Sequence, residues 1–184
     1  MYNPYSVGEY TYLRHPTDED VEGRWHEWFS DENTTKWLGQ YWPNSIEEQR
    51  RFFENCNSGK DRMVLSVIDK ETDKHIGVCN LSSISWVNRV ADLAIVIGEA
   101  EYRTGPYVLD AVSQLIRAAF LRLNMRMIKG GYRSINTDTE SILKIFRFQE
   151  AGRFPGTIWH NGSYVDHVLV YLKREDWMRR NGLI

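Results

Sequence analysis

Between an apolar run at Leu93 to Ile97 and an amphipathic stretch that starts at Pro106 lies the loop Glu99-Ala-Glu-Tyr-Arg-Thr-Gly-Pro106. A strand that stops at Gly98, a short loop and a helix start gather backbone N–H groups and the positive end of a helix dipole, which suits an anion. The chemistry this serves is retention of a phosphorylated cofactor. Gly105 is the only glycine between Glu99 and Ala111, so the loop is poor in glycine for that task. A second constellation joins Trp25, Trp28, Trp37 and Trp42 to Asp18, Glu19, Asp20, Glu22, Asp31 and Glu32. Aromatic faces beside carboxylates can receive a cation. The same residues also read as core tryptophans beside a solvated acidic helix start. His160, next to Asn161-Gly162, is a candidate for proton transfer by residue type, and also reads as an exposed neighbour of a turn. His26, one residue from Trp25, is a lesser candidate of the same kind.

The elements that would position these groups can be read along the chain. Tyr10 to Arg14 reads as a strand. Thr17 caps a helix that carries Val21, Trp25, Trp28 and Phe29. Asp31 to Gln40 is a loop or short helix. Ser45-Ile-Glu-Glu48 matches a capping box and opens a helix to about Asn57. Met63 to Asp69, Ile76 to Ile84 and Ala91 to Ile97 read as strands with short connections, which favours antiparallel pairing. Pro106 fits a helix first turn. Val108, Val112, Leu115, Ile116, Ala119, Phe120 and Leu123 form that helix's apolar stripe. Met125 to Tyr132 is a strand. Asn136 to Arg147 is a helix with Ile142, Leu143, Ile145 and Phe146 turned inward. Gly152 to Gly156 is a turn. Asn161-Gly162 joins Phe154–His160 to Tyr164–Lys173 as a hairpin. The tail, Arg174 to Ile184, is polar and is expected to fray.

The whole of residues 1–184 is expected to form one domain with a sizeable core. A net charge of −2 argues against nucleic acid as the main partner, because phosphate neutralisation needs a basic surface. Cys56 and Cys79 are isolated and form neither a metal-type pair nor a disulfide framework, so no metal is expected. No basic region followed by an apolar run opens the chain, and no apolar stretch approaches the roughly 20 residues of a membrane span. A cytoplasmic location with no membrane partner is the expectation.

Four local motifs carry a resemblance. Ala91-Asp92-Leu93-Ala94-Ile95 is similar to an Ala-Glu-Leu-Gly-Ile strand. Asn136-Thr-Asp-Thr139 is similar to an Asn-x-x-Ser helix start. Phe148-Gln-Glu-Ala-Gly-Arg153 is similar to a Gly-Phe-x-x-Glu-Gly stretch. Asn161-Gly-Ser-Tyr164-Val-Asp166 is similar to an Asn-Gly-x-Tyr-x-Asp hairpin. In this order and spacing they resemble the GNAT superfamily of acyl-CoA N-acyltransferases, nearest its RimJ/RimL branch and the spermidine acetyltransferases. The resemblance runs from about Tyr10 to Lys173. It implies an α+β fold of α/β/α type, with a mixed, mostly antiparallel central sheet, a splayed strand pair and helices on both faces.

The resemblance also implies acetyl-CoA as co-substrate and direct attack of an amine on the thioester. Val96, Ile97 and Gly98 would then face the pantetheine arm, with Asn136 as a further contact or a turn residue. Arg103, Thr104, Gly105, Tyr107 and Val108 would cradle the pyrophosphate. Aligning on the helix puts Arg103 where the family has Gln or Arg, Thr104 at its first glycine and Pro106 at its second. Pro106 thereby removes one N–H donor, worth roughly 1.5–3 kcal/mol to a charged group. Leu143 stands where many members have a tyrosine acid, and Ile158 where RimL-like members have a glutamate. Thr139 keeps the hydroxyl that RimL-like members place there, or merely caps a helix. Asp92 matches the strand carboxylate and is the first choice of base, or is a structural partner of Arg89 or another strand residue; His160 is the second. Trp25, Trp28, Trp37 and Asp31 would wall the acceptor slot. The acceptor is then a small-molecule or peptide amine, and a homodimer is compatible with the resemblance. The alternative is a degenerate member of the fold that binds a ligand or partner without catalysis.

Overall fold

The computed structural model describes residues 2–184. Eight strands form one sheet: β1 (Pro4–Val7), β2 (Thr11–Arg14), β3 (Met63–Asp69), β4 (His75–Ser85), β5 (Val90–Ile97), β6 (Met127–Arg133), β7 (Gln149–His160) and β8 (Ser163–Lys173). Their order is β1-β2-β3-β4-β5-β6-β8-β7. Every neighbouring pair is antiparallel except β5 and β6, which run parallel. Parallel strands need a crossover. Here α5 (Tyr107–Arg117), continued by a π-helical turn at Ala118–Arg122, supplies it.

Alternation along β5 divides the molecule into two layers. Ala91 and Ile97 are buried, with Leu93 and Ile95 packed beside them, against α5 residues Ala111, Val112, Leu115 and Ile116. Val96 faces the other way, onto Val21, Trp25 and Trp28. That second layer holds α1 (Asp18–Glu22), α2 (Trp25–Trp28), α3 (Glu32–Thr35) and α4 (Ile46–Asn55). The sequence predicts one helix from Thr17 through Phe29. Instead Gly23 adopts an extended conformation and splits it, which turns Arg24 and Trp28 toward Glu99. Ser45 and Glu48 close the predicted capping box of α4.

Three further expectations change. Gly152 to Gly156 is not a turn but part of β7, where register shifts accommodate it against β8. The tail does not fray at Arg174: α7 (Arg174–Arg180) forms there, because Trp177 docks on Phe120 with ring centroids 5.5 Å apart. In α6 (Thr137–Ile145), Ile145 is exposed rather than inward. Cys56 and Cys79 are free and buried. No helix among the described residues is long and apolar enough to cross a membrane.

Two polar ties lock the layers. Asp110, in the first turn of α5, accepts from the backbone N–H groups of Glu9, Tyr10 and Thr11 at 3.1, 3.1 and 2.8 Å. It also accepts from the Thr11 hydroxyl at 2.7 Å. Asp20 is buried and receives Arg14 in a bidentate pair at 2.6 and 2.7 Å, with the Ser66 hydroxyl at 2.7 Å. His75 lies edge-on between Trp25 and Trp28, with Nδ1 3.3 Å from Asp20. Burial pushes its imidazole down to about 4, against the pull of the Asp20 carboxylate.

Asp110→Ala strands these N–H groups and is expected to cost about 2–4 kcal/mol, a fall of roughly 5–15 °C in a thermal melt. An unchanged midpoint would show that water replaces the carboxylate. His75 gives a pH signature. The unfolded chain takes up a proton near 6.5 and the folded chain only near 4. Above 6.5 the group is neutral in both states. As the pH falls toward 4, folding is opposed by up to roughly 3 kcal/mol. Urea midpoints measured across that window should fall less in His75→Gln than in the parent; equal slopes would refute the assignment.

Candidate active site

The parallel pairing of β5 with β6 lasts for the rungs Val90↔Met127, Ala91↔Ile128 and Asp92↔Lys129 and then ends. Beyond that fork the strands part around a cleft of about 520 Å³. Gly98 donates its N–H to Ile76 across β4 at 2.9 Å. Ladder alternation gives Val96 the same direction and turns Leu93, Ile95 and Ile97 toward β6, where the Leu93 N–H closes the last rung and its carbonyl, with the backbone of Ile95 and Ile97, faces the gap. Of the predicted strand-edge residues, Ile97 therefore faces the cleft. Val96 and Gly98 pair with β4, and the working set is displaced toward Leu93.

At the open end of the gap, a 3-10 turn at Ala100–Tyr102 leads into Thr104 and Gly105, both exposed. Gly105 has φ of +84°, a conformation that glycine adopts without strain. Pro106 is the N-cap of α5, and no side chain caps the helix. Asp110 N–H reaches the Pro106 carbonyl, so the N–H groups of Tyr107, Val108 and Leu109 are left at the helix end. Tyr107 turns its ring onto Tyr102 and Tyr10, away from those donors. Val108 packs on the core.

Arg103 does not reach outward. Its Nε donates to the Ile97 carbonyl at 3.1 Å, and one terminal nitrogen donates to Gly98 O at 2.8 Å and Thr34 Oγ1 at 2.7 Å. The guanidinium thus fastens the strand end to α3. Beside it, Glu99 is buried and gathers Lys74 at 2.7 Å, Arg24 at 2.8 Å and the Trp28 indole N–H at 3.0 Å. Burial pushes this carboxyl up, but Lys74 and Trp28 outweigh it and hold it below the ordinary glutamate range. Trp28 also occupies the space that a side chain at Gly98 would fill. Trp28 is therefore a core anchor, not a slot wall.

The far wall is α6 and β6. Asn136 caps α6, accepting the Thr139 N–H at 3.0 Å. Thr139 is thus inside the helix, lines the cleft, and its hydroxyl has no hydrogen-bond partner among the described residues. Leu143 and Ile158 line the same cleft. Asp92 lies at the fork on the opposite face of the sheet, 3.0 Å from Lys129 Nζ rather than beside Arg89. His160 stacks on Trp37 with centroids 5.1 Å apart and approaches the Lys36 carbonyl at 3.2 Å. It braces the segment 36–41 and faces no open space in the cleft. Trp37 lines the cleft roof, Trp25 is buried yet lines a second slot on the face that carries α1–α4, and Trp42 is 82% exposed. Asp31 caps α3 and lies 3.6 Å from Arg103.

Several site residues escape sequence reasoning. His167 on β8 lines the cleft next to Gly131, with no hydrogen bond among the described residues. Buried Arg133 donates to the carbonyls of Trp37 and Leu38 and so fixes the roof. Lys129 partners Asp92. The signal for His167 was its place directly before the apolar Val168–Val170 stretch in the last strand, and only the pairing with β6 turns it toward the cleft. No group of His, Cys, Asp or Glu among the described residues is placed to hold a metal ion.

A cleft between splayed strands, closed by a helix start, matches known proteins. The chain superposes on spermidine N-acetyltransferase from Vibrio cholerae, solved in complex with CoA and spermine, with TM-score 0.84 at 18% identity over 91% of this chain and 98% of that one. It superposes on a GNAT-family acetyltransferase from Bacillus anthracis with TM-score 0.78 at 18% identity, covering 92% and 98% of the two chains. In sequence it is 27% identical over 154 residues to an uncharacterized N-acetyltransferase, p20, of Bacillus licheniformis, covering 81% of this chain and 85% of that protein. The sequence profile described as Acetyltransferase (GNAT) domain matches residues 11–149. With three quarters of its length inside that profile, the chain belongs to the GNAT acetyltransferase family.

Proposed function

We propose that the chain moves an acetyl group from acetyl-CoA to a primary amine of a small molecule or peptide. The observation that carries this reading is the continuity of two features. Backbone left unpaired at the Leu93 carbonyl, at Ile95 and at the Ile97 N–H suits the amides of a pantetheine arm, and it ends at an uncapped helix start suited to a pyrophosphate. Phosphates at the loop end fix the direction of the arm. At strand rise, Leu93 to Ile97 spans roughly 13 Å, so the thioester lies toward the fork.

There the amine nitrogen attacks the carbonyl carbon. The N–H of Ile95 is the unpaired donor nearest the fork for the developing oxyanion. The C–S bond breaks, the amine's surplus proton passes to Asp92, directly or through water, and the thiolate is held by the Thr139 hydroxyl, through which a proton from solvent reaches the sulfur. Lys129, 3.0 Å away, orients the Asp92 carboxylate for that task. Nothing in the sequence covalently holds the acetyl group on the way. A second reading, a ligand-binding member without catalysis, draws on Leu143, Ile158 and the inward Arg103.

Binding is tested by thermal shift. Acetyl-CoA or CoA at a hundredfold excess over its Kd should add about 2.7 kcal/mol and raise the midpoint by several degrees. No shift from either would remove the transfer reading. Asp92→Asn and Thr139→Ala are each expected to lower kcat about a hundredfold while the thermal shift with CoA persists. Full turnover in both would remove these roles, and binding without release of free thiol to any amine would favour the second reading.

A further inference from the structure

On the face of the sheet that carries α1–α4, a slot of about 400 Å³ meets the cleft at Ala94, which lines both. If the transfer reading holds, this slot receives the acceptor. Its apolar walls include Trp25 and Phe52. Its polar groups are Asn80 and Ser82 on β4, Gln49 on α4, other neutral amides, and one charge, Arg62. No aspartate or glutamate lines it.

Of the six acidic residues that the sequence places nearby, Asp18, Asp20, Glu22 and Asp31 are engaged elsewhere. Asp20 is buried under Arg14 and Ser66. Asp18 and Glu22 face Arg50 at 3.3 Å each. Asp31 caps α3, and Glu99 holds Lys74. Within the slot, Asn44 Nδ2 donates to Gln49 Oε1 at 3.0 Å, and other donors stay open. Gln49 is only 3% exposed, and its Nε2 has no partner. Arg62 makes no ion pair among the described residues, and its guanidinium lies 5.9 Å from the Phe52 ring centroid. A slot that offers donors and one unpaired cation, with no anion, disfavours a multiply charged polyamine, whose further ammonium groups would be desolvated without a counter-charge.

We infer that the acceptor is a primary amine that also carries an anionic group, a carboxylate or a phosphate, and that Arg62 sets this preference. The amine points toward Ala94 and the fork, the body of the molecule lies against Trp25 and Phe52, and the anion ends at Arg62. Arg62 is thus a specificity residue and takes no part in the bond-making step.

The test is release of free CoA from the intact protein at saturating acetyl-CoA. The carboxylate arm compares 4-aminobutyrate with its neutral amide. The phosphate arm compares glucosamine 6-phosphate with glucosamine. Spermidine is the cationic competitor. In at least one arm the anionic member should exceed its neutral counterpart at least tenfold in kcat/KM, with spermidine lowest, and the arm that responds names the anion. Arg62→Ala should collapse that ratio at least tenfold through KM, and Arg62→Lys should restore part of it. Because Arg62 is exposed, the variants are expected to fold, and a circular-dichroism melt checks this. Spermidine as the best acceptor, or a ratio unmoved in Arg62→Ala, would overturn the inference while leaving the transfer reading intact. Release of CoA to none of these amines, despite acetyl-CoA binding, would overturn both.

Discussion

Hydrogen bonding between β5 and β6 stops after the Asp92–Lys129 rung, and the rest of the site follows from that interruption. Backbone N–H and C=O groups are costly to leave unpaired away from water. A sheet that parts in its interior therefore needs something to complete it, and the only neighbours on offer are α6, the roof segment and a ligand. The rung itself is pinned by an ion pair between its own two side chains at 3.0 Å. The half-exposed pair adds little stability alone. Its value is positional, because it marks where the sheet ends and the cleft begins.

The open jaw must then be held apart without help from sheet pairing. Glu99 does this from one side. It sits just past β5 and draws in Arg24 and Trp28 from α2 and Lys74 from the loop between β3 and β4. Arg103 continues the same work by capping the carbonyls of Ile97 and Gly98. The loop thus trades glycines and a phosphate-facing arginine for a rigid strand end. What remains for an anion is the end of α5, presented by a left-handed Gly105 and left bare by Pro106.

Local signals in the chain were readable wherever a short-range rule governs. The capping box at Ser45, the helix start at Asn136, the Asn161-Gly162 hairpin and the strand–loop–helix at Gly98–Tyr107 each depend on neighbours within a few residues. The failures share a different cause. Arg103 pointed inward, Asp31 and the acidic helix start found cationic or backbone partners, and Trp28 became an anchor for Glu99, seventy-one residues away. His167 and Arg133 acquired their places only through the pairing of β6 with β8. Charge and aromaticity announce that a residue can do chemistry, but burial and partnership decide whether it is free to, and both are set by contacts remote in sequence.

The way the roof is attached has a consequence for how such a protein changes over generations. Arg133 grips the segment 36–41 by the carbonyl oxygens of Trp37 and Leu38. Every residue type carries a carbonyl. The side chains over the cleft can therefore be exchanged by mutation while the loop keeps its position. Selectivity can drift on a frame that does not, which separates the evolution of what is bound from the evolution of what holds the fold.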